Sequence, residues 1–303
     1  MRNATEIKNR INGIQDTKKI VNAMYLISSS KMRKVKADLD HTRPFFNALL
    51  AEIKRIFRTV EGVENRYFYP ADGSAAPEGT YGLLVITADK GLAGAYNKSV
   101  IKEAQRMMTE HPDSKLYVVG EYGRRYFLRQ KKAVERSFLY TAKNPTMERA
   151  REISAYLLDL YDKGELVKIY IIYSDLKNSL NSRVVMTRLL PFHRLNSPHY
   201  TVPKDEPEVQ TPFEFYPSVE AVVENVVKSW LSGVIYGALV DSFCSEQSAR
   251  MTAMSSANKN AEKLIEYFTA EYNQLRQANI TEEITEITAG AKAQILKRKK
   301  EVR

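Results

Sequence analysis

The chain has 303 residues, 44% hydrophobic and 27% charged, which is enough apolar material for a packed core and predicts two domains or one domain with an extended element. Cys244 is the only cysteine, which excludes an intrachain disulfide and a zinc–thiolate cluster. The opening residues lack the apolar run of a signal peptide, and the most apolar window, residues 230–243, is too short for a bilayer. The expectation is a soluble chain with no direct membrane insertion.

The formal charge of +10 is unevenly placed. Residues 1–60 hold 13 Lys/Arg against 5 Asp/Glu, and residues 291–303 hold 6 against 1, so what lies between is slightly acidic. Basic ends of this kind predict an acidic partner, whether nucleic acid, anionic lipid or acidic protein loops. For any single lysine the plainer reading is a solvated helix face.

In chain order, residues 1–60 read as one helix of a coiled coil. Ile7, Ile11, Ile14, Lys18, Val21, Tyr25, Ser28, Met32, Val35 and Leu39 alternate at steps of three and four, and Thr42, Phe46, Leu49, Ile53, Ile56 and Val60 continue the phase. Lys18 and Ser28 are polar seam positions, which cost stability but can fix register. Pro44 lies inside the pattern and predicts a bend or break near residues 41–45. Residues 61–80, with Gly62, Pro70, Gly73, Pro77 and Gly79, read as a linker.

Residues 81–191 change pattern. Strands are predicted at 81–87, 115–120, 134–139, 166–173 and 183–191, with helices at 97–110, 121–130 and 147–163. This alternation implies a small, mostly parallel α/β domain. Residues 192–217 carry five prolines and read as an extended connection. Residues 218–303 then run without a proline, with a seam at Met251, Met254, Asn258, Ala261, Ile265, Phe268, Tyr272 and Leu275. An unbroken helix of this length would measure about 130 Å and cannot bury a face in its own globule. Its natural mate is the first helix, lying antiparallel.

No catalytic constellation emerges. The loop Asp89-Lys-Gly-Leu-Ala-Gly-Ala-Tyr-Asn-Lys-Ser99 follows the first strand, where α/β folds cradle phosphates, but Asn97 stands where a P-loop needs glycine before its lysine. Gly91 and Gly94 are too few for a dinucleotide fingerprint and read as a tight strand-to-helix turn. His41, His111, His193 and His199 are scattered without metal-ligand spacing, and Asp89 has no partner for base chemistry. The expectation is no cofactor, no metal site and no enzyme activity of the chain alone.

Three motifs resemble the gamma subunit of rotary F-type ATP synthases, and the resemblance spans the chain. They are Ile11-Asn-Gly-Ile-Gln-Asp-Thr-Lys-Lys-Ile-Val-Asn-Ala-Met24 with Ser30-Lys-Met-Arg33; the loop 89–97, with Ala93 where many members have cysteine; and Arg250-Met-Thr-Ala-Met254 with residues 272–291, where Ile280, Thr281, Glu283, Glu286, Gly290 and Ala291 fit the family signature. The resemblance implies a central stalk: a long antiparallel coiled coil of the terminal helices plus a small central Rossmann-like α/β domain. It implies as partners the alpha and beta subunits of the catalytic head, the epsilon subunit and the membrane c-ring, and no nucleic acid. Rotation driven by proton or sodium flow would carry the beta subunits through open and closed states, with the chain peripheral on the cytoplasmic face of the bacterial inner membrane.

Carried onto this sequence, the family's contacts with acidic loops of the beta subunits fall on Arg250, Arg276, Gln277 and Thr281, with Glu283 as a nearby partner or as an internal mate of Arg250 or Arg276. Arginine suits the role because its planar fork pairs bidentately with carboxylates. Lys19, Met24, Lys31, Arg33 and Lys34 are secondary contacts, Met24 reading equally as seam packing. The basic tip 292–303 would enter the top of the head. Two competing readings are a nucleic-acid-binding coiled coil, which predicts steep weakening by salt, and an α/β enzyme with oligomerising arms, which needs a phosphate loop or an acid–base pair.

Overall fold

A computed structural model describes residues 4–59, 66–68, 79–139, 141–178, 181–191 and 215–301. Most of the 61–80 linker, residues 192–214 of the predicted connection, and the side chains of Leu39, Ile53, Ile56, Val60 and 296–303 lie outside the described residues. The elements in order are α1 (Ala4–Thr59), β1 (Tyr81–Ile86), α2 (Tyr96–Glu110), β2 (Lys115–Val119), α3 (Glu121–Arg129), β3 (Arg136–Phe138), α4 (Met147–Asp162), β4 (Lys168–Asn178), β5 (Asn181–Leu190) and α5 (Val219–Glu301). The chain divides into two units, residues 28–251 and residues 1–27 with 252–303.

The unit of residues 28–251 is built on a five-stranded sheet of order β3-β2-β1-β4-β5. The first four strands are parallel, and β5 returns antiparallel to β4 as a hairpin. The period-two pleat sorts the strand side chains between two faces. Leu83, Val85, Leu116, Val118 and Ile172 pack with Val100, Ile101, Ala104 and Met107 of α2 and Phe127 of α3. Leu84, Ile86, Tyr117, Val119, Ile171 and Tyr173 face the other way, onto α4, α5 and Phe46 of α1. Both faces are therefore covered, which is why β1 reads as a nearly unbroken apolar run.

The most apolar window of the sequence finds its explanation here. Trp230, Leu231, Val234, Ile235, Tyr236, Ala238, Leu239 and Val240 are all buried in the larger core, so α5 is apolar around its circumference where sheet, α4 and α1 enclose it. No helix of the described residues is long and apolar enough to cross a membrane. Within this unit α1 and α5 run antiparallel: Phe46 lies at Gly233 and Thr42 hydrogen-bonds Tyr236, while farther along the charges of Lys36 and Asp40 act on Cys244 and that of Lys31 on Glu246. The Cys244 thiol is buried, and that burial pushes its pKa up to about 12.

The break expected near Pro44 is corrected. α1 continues through Pro44 without a break. A proline forfeits one backbone hydrogen bond, but Phe46, two residues on, is buried against Gly233, where any Cβ would overlap its ring, and this contact holds the helix path. The predicted linker also contains core residues. Tyr67 and Phe68 are buried in the larger core, and Arg66 ion-pairs with Asp162 at 3.1 Å and Glu224 at 3.4 Å. Gly and Pro content marked the segment as irregular but hid the two aromatic anchors inside it.

In the second unit, the predicted seam of α5 is withdrawn from solvent, together with Ala253, Ala257 and Glu271. Met254 is buried, and Asn258, Ala261, Ile265, Phe268, Tyr272 and Leu275 are half-buried. On α1, Ile7 is buried while Ile11, Ile14, Lys18 and Val21 are half-buried. Met24 is half-buried where Tyr25 is exposed, so the seam slips by one residue there. The polar seam residue Lys18 reaches Glu262 at 2.9 Å, and Asn258 donates to the same carboxylate at 3.5 Å. A polar layer of this kind fixes which turns of two helices face one another.

Candidate partner-binding site

The loop after β1 is held by its own polar groups. Asn97 Oδ1 accepts from the Ala88 amide at 2.9 Å, and Asn97 Nδ2 donates to the Lys90 carbonyl at 3.4 Å. Asp89 Oδ1 accepts from the Glu121 amide at 3.1 Å, so the carboxylate considered as a base is spent on the N-terminus of α3. Gly94 has φ +53°, as the strand-to-helix turn required, and Leu92, at φ +63°, takes a left-handed conformation without glycine's freedom. Helix α2 then begins with Tyr96, whose amide donates to the Ala93 carbonyl at 3.1 Å.

This loop lies at the carboxyl end of β1, beside β4, where the strand order reverses. Doubly wound sheets bind ligands in the crevice outside such a switch point. Here α5 crosses it. The Tyr96 and Ser242 hydroxyls share a buried hydrogen bond of 2.7 Å, Ser245 Oγ donates to the Ser174 carbonyl of β4 at 3.0 Å, and Ala249 packs on Ala88, Ala93 and Tyr96. Arg250 donates to the Gly91 carbonyl at 3.1 Å and pairs with Glu246 at 2.6 Å. The pair is sunk, with side-chain exposures of 12% for Arg250 and 8% for Glu246. Burial raises the Glu246 carboxyl above the usual glutamate range and Asp89 adds to the rise, while Arg250 and Lys31 oppose it.

Arg250 is therefore engaged inside the fold, and its carboxylate mate is Glu246 and not Glu283. The signal was present in sequence: Glu246 and Arg250 stand at i and i+4, neighbours on a helix surface.

The other predicted contacts lie on open helix. Arg276, Gln277, Thr281 and Glu283 are all exposed on α5. Thr281 Oγ1 donates to the Gln277 carbonyl at 2.8 Å, and among the described residues no ion pair joins Arg276 to Glu283. At seven positions apart, these two share a helix face about 10 Å from each other. Interleaved with them is a stripe that the seam analysis missed: Ile280, Ile284, Ile287 and Ile295 are 43%, 60%, 72% and 57% exposed. Their spacing of four, three and eight is that of a helix face prepared for burial. Every residue from 276 to 295 is exposed.

On α1, Lys19, Lys31, Arg33 and Lys34 are exposed and Met24 is half-buried. Exposed Ile20, Leu26 and Ile27 add apolar surface near Lys19 and Met24. Part of the basic excess is already matched, Arg10 with Glu6 and Lys19 with Asp16, each at 3.0 Å, and Lys18 with Glu262.

A family model described as ATP synthase matches residues 3–294. The chain is 39% identical over 291 residues to the ATP synthase gamma chain of Caldanaerobacter subterraneus subsp. tengcongensis, covering 94% of this chain and 98% of that one. It is 37% identical over 292 residues to the ATP synthase gamma chain of Ruminiclostridium cellulolyticum, covering 96% and 98%. Its fold is similar to a chain of the Euglena gracilis mitochondrial ATP synthase, in a structure of OSCP, F1 and c-ring, with TM-score 0.65, 17% identity and coverage of 96% and 94%.

Proposed function

The chain belongs to the ATP synthase gamma-chain family, and from that premise we propose that it is the central rotor of an ion-translocating ATP synthase, coupling rotation of a membrane c-ring to conformational cycling of catalytic beta subunits. The observation that carries this reading is the bare stretch of α5. A helix exposed on all sides from 276 to 295 and bearing four uncovered isoleucines gains no tertiary packing within the described chain. Most helical stability in proteins comes from such packing. A sleeve supplied by alpha and beta subunits would cover the stripe and supply it.

Within that sleeve, Arg276, Gln277 and Thr281 present polar groups to acidic loops of the beta subunits with Glu283 as their neighbour, and Lys19, Lys31, Arg33 and Lys34 do so from α1, where Met24 adds an apolar contact. For Arg250 the same contact competes with Glu246, so a beta-subunit carboxylate reaches it only by replacing the internal partner. The α/β domain meets the c-ring and epsilon, with the chain peripheral on the cytoplasmic face of the inner membrane. The chain contributes geometry and no bond-making groups: the crevice where a nucleotide would sit in this fold is crossed by α5.

The test separates the sleeve from the fold. Replacing Ile284 and Ile287 together by aspartate leaves two charges where the sleeve would bury isoleucine, at a loss of roughly 1.5–3 kcal/mol of apolar burial per position before any charge penalty. With a tag on this chain, recovery of alpha and beta subunits is expected to fall, while thermal unfolding of the isolated chain is unchanged. Undiminished recovery of the head with the double variant would sink the reading.

A further inference from the structure

We propose that the switch-point crevice of the α/β domain has become a torque joint, in which the loop of residues 88–97 and Ser174 of β4 lock the rotational setting of α5 through directional polar bonds. The inference rests on the rotor reading and names the place where force passes between sheet and helix.

The character of the contact changes along α5. From Trp230 to Val240 the helix is wrapped by the apolar core, whose attraction has no preferred direction. From Ser242 to Arg250 polar groups join the buried face: Ser242, Ser245, Glu246, Gln247 and Ser248 are buried beside Phe243 and Cys244. Of these, Ser242 bonds the Tyr96 hydroxyl and Ser245 bonds the Ser174 carbonyl, so the helix is tied both to the start of α2, which follows β1, and to β4. Arg250 adds a third tie, to the Gly91 carbonyl. A hydrogen bond weakens steeply as its angle departs from linear. Turning α5 about its axis in the crevice would break all three together and leave buried polar groups unpaired, which is costly in a low-dielectric interior.

The loop itself is braced against yielding. Asn97 ties its two ends, and Asp89 fastens it to the start of α3, so a force on Tyr96 is passed to the sheet and not absorbed by loop motion. The arrangement also gives the family-like loop sequence a role: small residues at 93–95 let α5 approach, and Gly94 lies 3.9 Å from the Ala249 carbonyl, measured from where a Cβ would stand.

The experiment uses the assembled complex in sealed vesicles and measures ATP hydrolysis and ATP-driven ion pumping side by side. The variant is Tyr96→Phe with Ser242→Ala, which removes the shared hydrogen bond and keeps both shapes. The control is Ser154→Ala with Ser232→Ala, which removes an equally buried 2.7 Å hydroxyl pair between α4 and α5 inside the apolar core. Expected is a loss of pumping per ATP hydrolysed in the first variant and none in the control, with similar losses of thermal stability in both isolated chains. Full coupling in the first variant, or an equal loss in both, overturns the proposal. A wild-type complex that hydrolyses ATP without pumping would overturn the rotor reading itself, so the two failures are distinguishable.

Discussion

Replacing Arg250 by alanine is expected to destabilise the isolated chain by about 3–5 kcal/mol near neutral pH, because it strands a buried carboxylate. Glu246 is only 6% exposed, and its nearest positive group is the guanidinium 2.6 Å away. Removing that group leaves Lys31 as the remaining opposing cation and Asp89 as a like charge. The pH dependence fixes the cause. Burial already raises the Glu246 pKa above its unfolded value, and loss of Arg250 raises it further. A carboxyl raised in this way favours the fold below the unfolded value and loses that contribution as pH rises through the folded one. The penalty in the alanine variant is therefore smallest in acid and grows as pH rises through the raised Glu246 value. Adding Glu246→Gln removes the charge, so the double variant is expected to be more stable than Arg250→Ala alone near neutral pH and to lack the pH-dependent arm. Denaturant unfolding of the four chains of this cycle measures it; a penalty equal at acid and neutral pH would assign the loss to packing instead.

The second large effect concerns stiffness. Ala289→Pro, in the exposed part of α5, is expected to cost the local helix about 3 kcal/mol or more by removing a backbone hydrogen bond and clashing with the preceding turn. Ala289→Gly at the same site costs about 1 kcal/mol without a kink. Both leave residues 28–251 untouched, so unfolding of that core is expected to match the wild type. In the assembled complex the proline variant is expected to lose ATP-driven pumping and the glycine variant to retain most of it. Wild-type pumping with proline at this position would mean that no force passes along the helix above it.

How far the sequence led is clearest on α5. Its seam, from Met254 through Leu275, is withdrawn from solvent, with Ala257 and Glu271 added beside it, because three-four periodicity is a local property that survives into the fold. The alternation of strand and helix through residues 81–191 was equally legible, with boundaries shifted by a few residues. The break at Pro44 was not, since the reason it is absent is a contact with Gly233, nearly two hundred positions away. Tyr67 and Phe68 escaped for the same reason: glycine and proline dominate the local signal, and burial is decided by distant partners. Arg276, Gln277, Thr281 and Glu283, named from the motif, stand exposed on α5, whereas Arg250, named the same way, is held by Glu246. The crossing of the switch-point crevice by α5 has no local signature. It arises from bringing residues 88–97, Ser174 and 242–250 together.

The most direct test of the rotor account is to watch this chain turn. Lys132→Cys, at an exposed position of the α/β domain, provides a single attachment point for a bead, because Cys244 is buried with its thiol pushed up to about 12 and stays unlabelled. With the catalytic head fixed to a surface and ATP supplied, the account predicts sustained rotation of the bead in one direction. ATP hydrolysis continuing under a bead that stays still would contradict it.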